Sequence, residues 1–338
     1  MNDRAVNLLE QYDIEILKTR KGRGAILCES SEGCLIFKEY TGKEEKLHMQ
    51  NNLLNQLQGI PDIAVERIYA DREGKLFVRD FDGTRYILKG YLEGRECNIN
   101  DRQECRETIR VLARLHHAME CDPRVIFPQR EGEKVSCSYF SPAREYEKRN
   151  RELKKVRAYL KKRSQKTWFE IELSRYFDAF LDQGFQLSGE WESYEEIRQS
   201  KIGNLSKMTF CHGDYQYHNL MKGGKNWFVA NFEKCIADDP IRDLYLMMRK
   251  LLEKSGWSVE LGRELLKTYE EARPLSALSF IDLYYRMAYP EKFWKIVNFY
   301  YNSGKAWIPG KNLEKLERVV AQEQEKQHFL DEIFRGSF

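Results

Sequence analysis

The segment CHGDYQYHNLM, Cys211 to Met221, sets a histidine, an aspartate and an asparagine at His212, Asp214 and Asn219. An aspartate on a tight loop can take the proton of an attacking group. An asparagine carbonyl is a hard oxygen donor for a divalent cation. A histidine can anchor the loop, and Gly213 lets the backbone turn tightly. A polar turn with no chemistry has the same composition. The segment follows the apolar Met208-Thr209-Phe210 and precedes a second apolar run, NWFVANF, Asn226 to Phe232.

What must hold such a segment in place is legible only coarsely. The chain has 338 residues, enough for two lobes or domains. Apolar residues make up 42% and can fill a core, and a net charge of +3 gives no field that favours nucleic acid. Eight cysteines form no C-x-x-C pair and have no zinc-finger spacing, so free, mostly buried thiols in a reducing cytosol are expected. The N-terminus MNDRAVNLLEQYDIEIL lacks the apolar core of a signal peptide, and no apolar run approaches a membrane span.

RKGRGAILCESSEGCLIFKEY reads as β-rich runs around a Ser30–Gly33 turn. A helix follows, with Thr41 and Glu44 as a capping box and Leu47, Leu53, Leu54 and Leu57 as its apolar face. Residues 66–94 alternate around Glu73-Gly74 and Asp82-Gly83, which predicts two tight turns and three strands. Beyond Gly94 the spacing becomes helical, with boundaries at Asp101, Asp122-Pro123 and Ser141-Pro142. Residues 141–183 hold one or two helices. From Pro240 the chain is helical, with breaks at Pro274, Pro290 and Pro309. One short strand pair is expected in this larger part.

A small sheet lobe hinged to a helical lobe is the architecture of the protein-kinase-like superfamily. HGDYQYHN resembles the H-G-D-x-x-x-x-N signature of aminoglycoside and choline phosphotransferases. The resemblance implies an α+β, bilobal protein-kinase-like fold. Residues 1–89 form a β-rich nucleotide-binding lobe with an antiparallel sheet and one helix, 90–95 a hinge, and 96–338 a helical lobe. The helical lobe carries the catalytic loop at 210–221 and a metal segment at 228–243. The resemblance implies that Asp214 receives the proton of the attacking hydroxyl and that Asn219 reaches a metal. His212 braces the loop. Asp243, in DDPIRDL, is the buried aspartate that hydrogen-bonds the loop backbone.

One position departs from the pattern. Asn231 stands where the family has a metal-binding aspartate. Losing a unit charge beside a divalent ion costs on the order of several kcal/mol, so weak or absent phosphate transfer is expected. Glu233 lies two residues on and faces the same side of a strand. It either reaches the ion or keeps the supporting role of the family's second acidic position.

Lys38, in CLIFKEY, is the candidate for the lysine that bridges the α- and β-phosphates of ATP, with Glu44 as its ion-pair partner. An exposed strand lysine and a plain capping glutamate are the alternatives. Gly22 and Gly24 could admit phosphates close to the backbone. KGYLEGRE fits the hinge, with Gly90, Tyr91 and Leu92 as the wall against adenine. ATP and Mg²⁺ are the implied cofactors.

Three other features are set aside. DFDG, Asp80 to Gly83, resembles a kinase metal triplet but precedes the catalytic loop and suits a hairpin turn. His116-His117 read as packed or capping residues. The basic run from Arg144 to Lys166 reads as a solvated helix face.

The tail, Asp282 to Leu330, together with YLEGRE, CHGDYQYHNL and DDPIRDL, resembles the CotS family of endospore coat proteins. The resemblance spans about residues 10 to 330. It implies synthesis in the mother-cell cytoplasm and deposition in the spore coat, with other coat proteins as partners. Aromatics such as Tyr284, Tyr285, Tyr289, Phe293, Trp294 and Trp307 are then core residues or the wall of an acceptor site. Two functions follow: an ATP-dependent kinase acting on an unidentified hydroxyl, or a pseudokinase that keeps the fold as a coat assembly component. Neither needs nucleic acid or a membrane.

Overall fold

The computed structural model describes residues 3–22, 24–91, 94–127, 142–202, 208–302 and 309–335. The fold is α+β, with an antiparallel sheet near the N-terminus and a larger helical part. By packing, the chain divides into two compact units. One comprises Met1–Cys137 with Lys207–Met247, the other Ser138–Ser206 with Met248–Phe338. The expected hinge at 90–95 falls inside the first unit.

The first unit opens with a 3-10 segment, Asp3–Gln11, then β1 (Ile16–Gly22), β2 (Ala25–Ser30) and β3 (Gly33–Glu39). The Ser30–Gly33 turn forms as read: Ser30 Oγ donates to Gly33 O at 2.7 Å, and Gly33 has φ 99°. Helix α1 (Glu44–Gln56) leads to β4 (Ile63–Val65), β5 (Ile68–Tyr69), β6 (Val78–Arg79) and β7 (Arg85–Gly90). The main sheet has the order β1-β2-β3-β7-β5, with β6 on β7. DFDG is the turn between β6 and β7, with Gly83 N–H donating to Asp80 O at 2.9 Å.

Period-two alternation sorts this sheet into two faces. Leu35 and Phe37 of β3, with Tyr86 and Leu88 of β7, pack beneath the N-terminal segment through Ala5, Leu9 and Tyr12. The Phe37 and Tyr86 rings stack with centroids 5.3 Å apart. Lys38 lies opposite Ile87, and Lys89 opposite Ile36. The two lysines therefore share the other face as diagonal neighbours.

In α1, Leu47, Leu53 and Leu54 are fully buried, as is Leu57 beyond it, each worth about 1.5–3 kcal/mol of burial. The capping box does not form. The helix starts at Glu44, so the N-cap is Lys43, and no side chain caps it. Thr41 lies too early for the spacing a box needs.

The rest of this unit holds β8 (Arg95–Glu96), α2 (Arg102–Ala118), β9 (Glu120–Cys121), α3 (Pro123–Ile126), β10 (Met208–Cys211), β11 (Leu220–Gly223), β12 (Asn226–Val229), β13 (Ile236–Ala237) and the start of α6 (Ile241–Lys254). Asp101 caps α2 by accepting from Gln103 N–H at 2.8 Å. The single strand pair expected here is an understatement. β11 and β12 extend to a four-stranded sheet, β4-β12-β11-β8, and β10 joins β13 and β9 in another. Strands of two to four residues leave too short an alternation to read.

The second unit is helical: α4 (Pro142–Lys162), α5 (Trp168–Ile202), the end of α6, α7 (Val259–Ala272), α8 (Ala277–Ala288), α9 (Glu291–Asn302), α10 (Pro309–Ala321) and α11 (Glu323–Phe334). Its core joins Leu153 and Leu160 of α4, Phe177 and Phe180 of α5, and Phe293 of α9. Of the tail aromatics, Phe293 lies in this core, with Trp294, Tyr300 and Tyr301 packed against it. Tyr289 stacks on Tyr146 at 3.9 Å and donates to Asn150 Oδ1 at 2.9 Å. Trp307 lies outside the described residues. Arg144, Lys148, Lys154, Lys155, Lys161 and Lys162 are exposed, the solvated face expected of that run. Arg149 is the buried exception, paired with Glu145 and Glu291. Seven cysteines among the described residues are free thiols, and Cys137 lies outside them. Among the described residues no helix is long and apolar enough to cross a membrane.

Candidate functional site

All the candidate site residues fall in the first unit. β10 delivers the chain into the turn at His212 and Gly213. Gly213 has φ 79°, and a Cβ there would lie 2.0 Å from Lys234 O. Two backbones touch at this point, so only glycine fits. Asp243, in the first turn of α6, accepts from His212 N–H at 2.5 Å and from Gly213 N–H at 2.9 Å. His116 Nε2 lies 3.3 Å from the same carboxylate. Burial pushes the Asp243 carboxyl up. The hydrogen bond and charge of His116, with His212 and Gly213, outweigh burial and hold it below its ordinary value.

The loop is then pinned residue by residue. Asp214 N–H donates to His212 Nδ1 at 3.1 Å. The ring proton therefore sits on Nε2, which donates to Ala230 O at 2.9 Å. Asn219 Nδ2 donates to the Asp214 carbonyl at 2.8 Å. The half-buried Asp214 carboxylate accepts from Gln216 Nε2 at 3.1 Å and from Lys234 Nζ at 2.9 Å.

Beyond β12 the chain enters a left-handed residue, Asn231, with φ 68° and ψ 55°. Asparagine tolerates this region better than most residues. Glu66, just past β4, holds the turn: it accepts from Asn231 N–H and Phe232 N–H, each at 2.9 Å. Asn231 Nδ2 donates to Asn219 Oδ1 at 2.8 Å.

Glu233 meets two lysines. Its Oε1 lies 3.1 Å from Lys38 Nζ and 2.6 Å from Lys89 Nζ. Lys89, 2% exposed, also reaches Glu66 Oε2 at 2.8 Å, and Glu66 is 1% exposed. Burial pushes the Glu233 carboxyl up, but Lys89 and Lys38 pull it down to about 2. Burial would lower the Lys89 ammonium, and Glu66 and Glu233 raise it above its ordinary value. A buried lysine stays charged only with such partners.

Hydrogen bonds thus link Lys38, Glu233, Asn231, Asn219 and Asp214 into one cluster, with His212 and Asp243 beneath the loop. Glu44 is not part of it. Its side chain is 54% exposed and pairs with His48 at 3.9 Å, one turn along α1. Its place as partner of Lys38 is taken by Glu233, because Glu44 opens the helix on the solvent side. The hinge donors are also committed: Gly90 N–H goes to Arg67 O and Tyr91 N–H to Cys34 O, each at 2.8 Å. Leu92 lies outside the described residues.

Glu66, Lys89, Lys234 and His116 were missed or set aside on sequence. A lysine inside the apolar run Tyr86-Ile-Leu-Lys89 was the one available signal. The others meet their partners across 20 to 166 residues of chain. His116 is packed as expected, but against Asp243. With Cys211 it makes a buried His–Cys–Asp cluster. Burial raises the Cys211 thiol, and its Sγ–H donates to Asp239 O at 3.0 Å, so this cluster is a hydrogen-bonded support rather than a metal centre.

The kinase-like fold implies a divalent cation beside Asn219 and Asn231. The donor set does not fit one. Two neutral amides close on each other, and Glu233 Oε1 is shared between two ammonium groups. Magnesium favours carboxylates and an undistorted octahedron.

A family described as "Spore coat putative kinase YutH" matches residues 5–333. Spore coat protein S of Bacillus subtilis (strain 168) is 26% identical over 149 residues, and the match covers 42% of each chain. Among solved structures, an aminoglycoside phosphotransferase from Alicyclobacillus acidocaldarius superposes with a TM-score of 0.78 at 18% identity, covering 100% of this chain and 96% of that one. Spectinomycin phosphotransferase APH(9)-Ia, solved with ADP and spectinomycin, gives a TM-score of 0.60 at 15% identity, covering 96% of this chain and 99% of that one. At these identities the two structures speak to the fold alone, which is that of the aminoglycoside phosphotransferases. The match over nearly the whole chain decides the family: this protein belongs to the YutH family of kinase-like spore coat proteins.

Proposed function

We propose that this chain is a spore coat component that keeps a kinase-type nucleotide cradle and transfers phosphate weakly or not at all. The observation that carries the reading is the Asn231–Asn219 amide pair at 2.8 Å. It occupies the place where a charged metal ligand is expected. The Lys38–Glu233 ion pair at 3.1 Å supports a phosphate-binding role for Lys38, and the bound ADP of the spectinomycin phosphotransferase supports a nucleotide for this fold. Synthesis in the mother cell and deposition among other coat proteins go with the family.

A second reading is favoured by Asp214. Its carboxylate is half-buried and oriented by Gln216 and Lys234. As an active kinase, the chain would let a hydroxyl oxygen attack the γ-phosphorus of ATP while Asp214 receives the hydroxyl proton and ADP departs.

Thermal melting with ATP separates these readings from a purely structural protein, since a ligand that prefers the folded state raises the midpoint. Absence of any shift at saturating ATP, with or without magnesium, removes the nucleotide reading. A shift without turnover in an ATP hydrolysis assay, and turnover gained in Asn231→Asp, supports the pseudokinase. Turnover by the wild type that is abolished by Asp214→Asn supports the kinase.

A further inference from the structure

We propose that this site takes a nucleoside triphosphate as the free polyanion, with the Lys234 ammonium supplying the positive charge that a metal ion supplies elsewhere. The inference rests on the nucleotide reading above and specifies what that nucleotide carries with it.

The donor set disfavours a cation, and two part-exposed ammonium groups can meet an anion. Three lysines, Lys38, Lys89 and Lys234, face three carboxylates, Glu66, Glu233 and Asp214. The cluster is therefore neutral before any ligand arrives. An incoming divalent ion would meet paired amides and a carboxylate already shared by two ammonium groups. An incoming triphosphate would meet two ammonium groups that can still reach it.

Those two are Lys38 and Lys234. The Lys38 side chain is 29% exposed and the Lys234 side chain 67% exposed. Lys89 is sealed between Glu66 and Glu233 and has no reach to spare. The backbone of Lys234 is fixed, because its carbonyl lies against Gly213. Among the described residues the side chain is held only by Asp214, in an exposed ion pair worth little and easily exchanged for phosphate. Lysine binds phosphate as a point charge, so this exchange needs no fixed geometry.

The test is equilibrium binding of ATP to the full chain, in excess EDTA and again in excess magnesium. The wild type should bind with similar affinity in both. Lys234→Met should weaken binding in EDTA by about tenfold, the scale of one hydrogen bond between charged groups. Lys225→Met removes an exposed lysine of β11–β12 outside the cluster and should leave the affinity unchanged. Unaltered melting of the ligand-free variants establishes that they fold. Absence of binding in both buffers removes the nucleotide reading itself. Binding that requires magnesium, no loss in Lys234→Met, or an equal loss in Lys225→Met overturns this inference and leaves the nucleotide site standing.

Discussion

Glu66 caps Asn231: its carboxylate accepts the Asn231 backbone N–H at 2.9 Å across 165 residues of chain. The second oxygen takes Phe232 N–H at the same distance, and Lys89 balances the charge from beneath. The left-handed turn that presents Asn231 to Asn219 is therefore built by a buried ion pair far from it in sequence.

That pair should be costly to break from one side. Lys89→Met leaves Glu66 buried without its ammonium, and the expected loss is about 3–5 kcal/mol of unfolding free energy. Adding Glu66→Gln should recover part of it, since the neutral amide no longer needs a counter-charge. Urea unfolding of the two single variants and the double variant measures the coupling.

Asn231→Asp should convert a metal-indifferent fold into a metal-responsive one. Without magnesium the new carboxylate loses its donated hydrogen bond to Asn219 and faces the Asn219 oxygen, for a loss of about 1–2 kcal/mol. Magnesium should restore the melting midpoint of the variant and leave that of the wild type where it was. Equal responses of both proteins would show that the amide pair does not exclude the ion.

Acid should unfold the protein through two identified carboxylates. Glu233 is held at about 2, against burial, by Lys89 and Lys38. Glu104 is held at about 2 chiefly by Arg95, against burial, with help from the Asn98 backbone and Lys222. Both folded values lie below the ordinary 4.5, so their stabilisation is complete above that pH. It drains away as pH falls from 4.5 towards about 2. Glu104→Gln and Glu233→Gln should each flatten the dependence of the urea midpoint on pH in that window, while lowering the plateau at neutral pH.

Gly213→Ala tests the loop without touching any charged group. The added methyl would drive into Lys234 O and impose a left-handed conformation on alanine. A loss of at least about 2 kcal/mol is expected. The ATP-induced melting shift should fall as well, because Asp214 and Lys234 are displaced together.

Much of this architecture was legible along the chain. The Ser30–Gly33 and Asp82-Gly83 turns, the Asp101 cap, the leucine face of α1 and the proline breaks are local, set by residues a few positions apart. The loop from His212 to Asn219 and its tie to Asp243 followed from a motif whose order survives intact. The capping box failed because it needs one definite N-cap, and helix starts are the least determined feature of a sequence.

The sequence by itself determined the residue types available: a kinase-like loop, a strand lysine, and an asparagine in place of an aspartate. Only the tertiary structure decided which charges meet. Lys38 turned from Glu44 to Glu233, 195 residues away, and Lys89 became the buried keystone between Glu66 and Glu233. Strand alternation tells which face a side chain takes, but not what the fold lays across that face. Electrostatic partnership depends on distance in space, and periodicity along a chain carries no record of it.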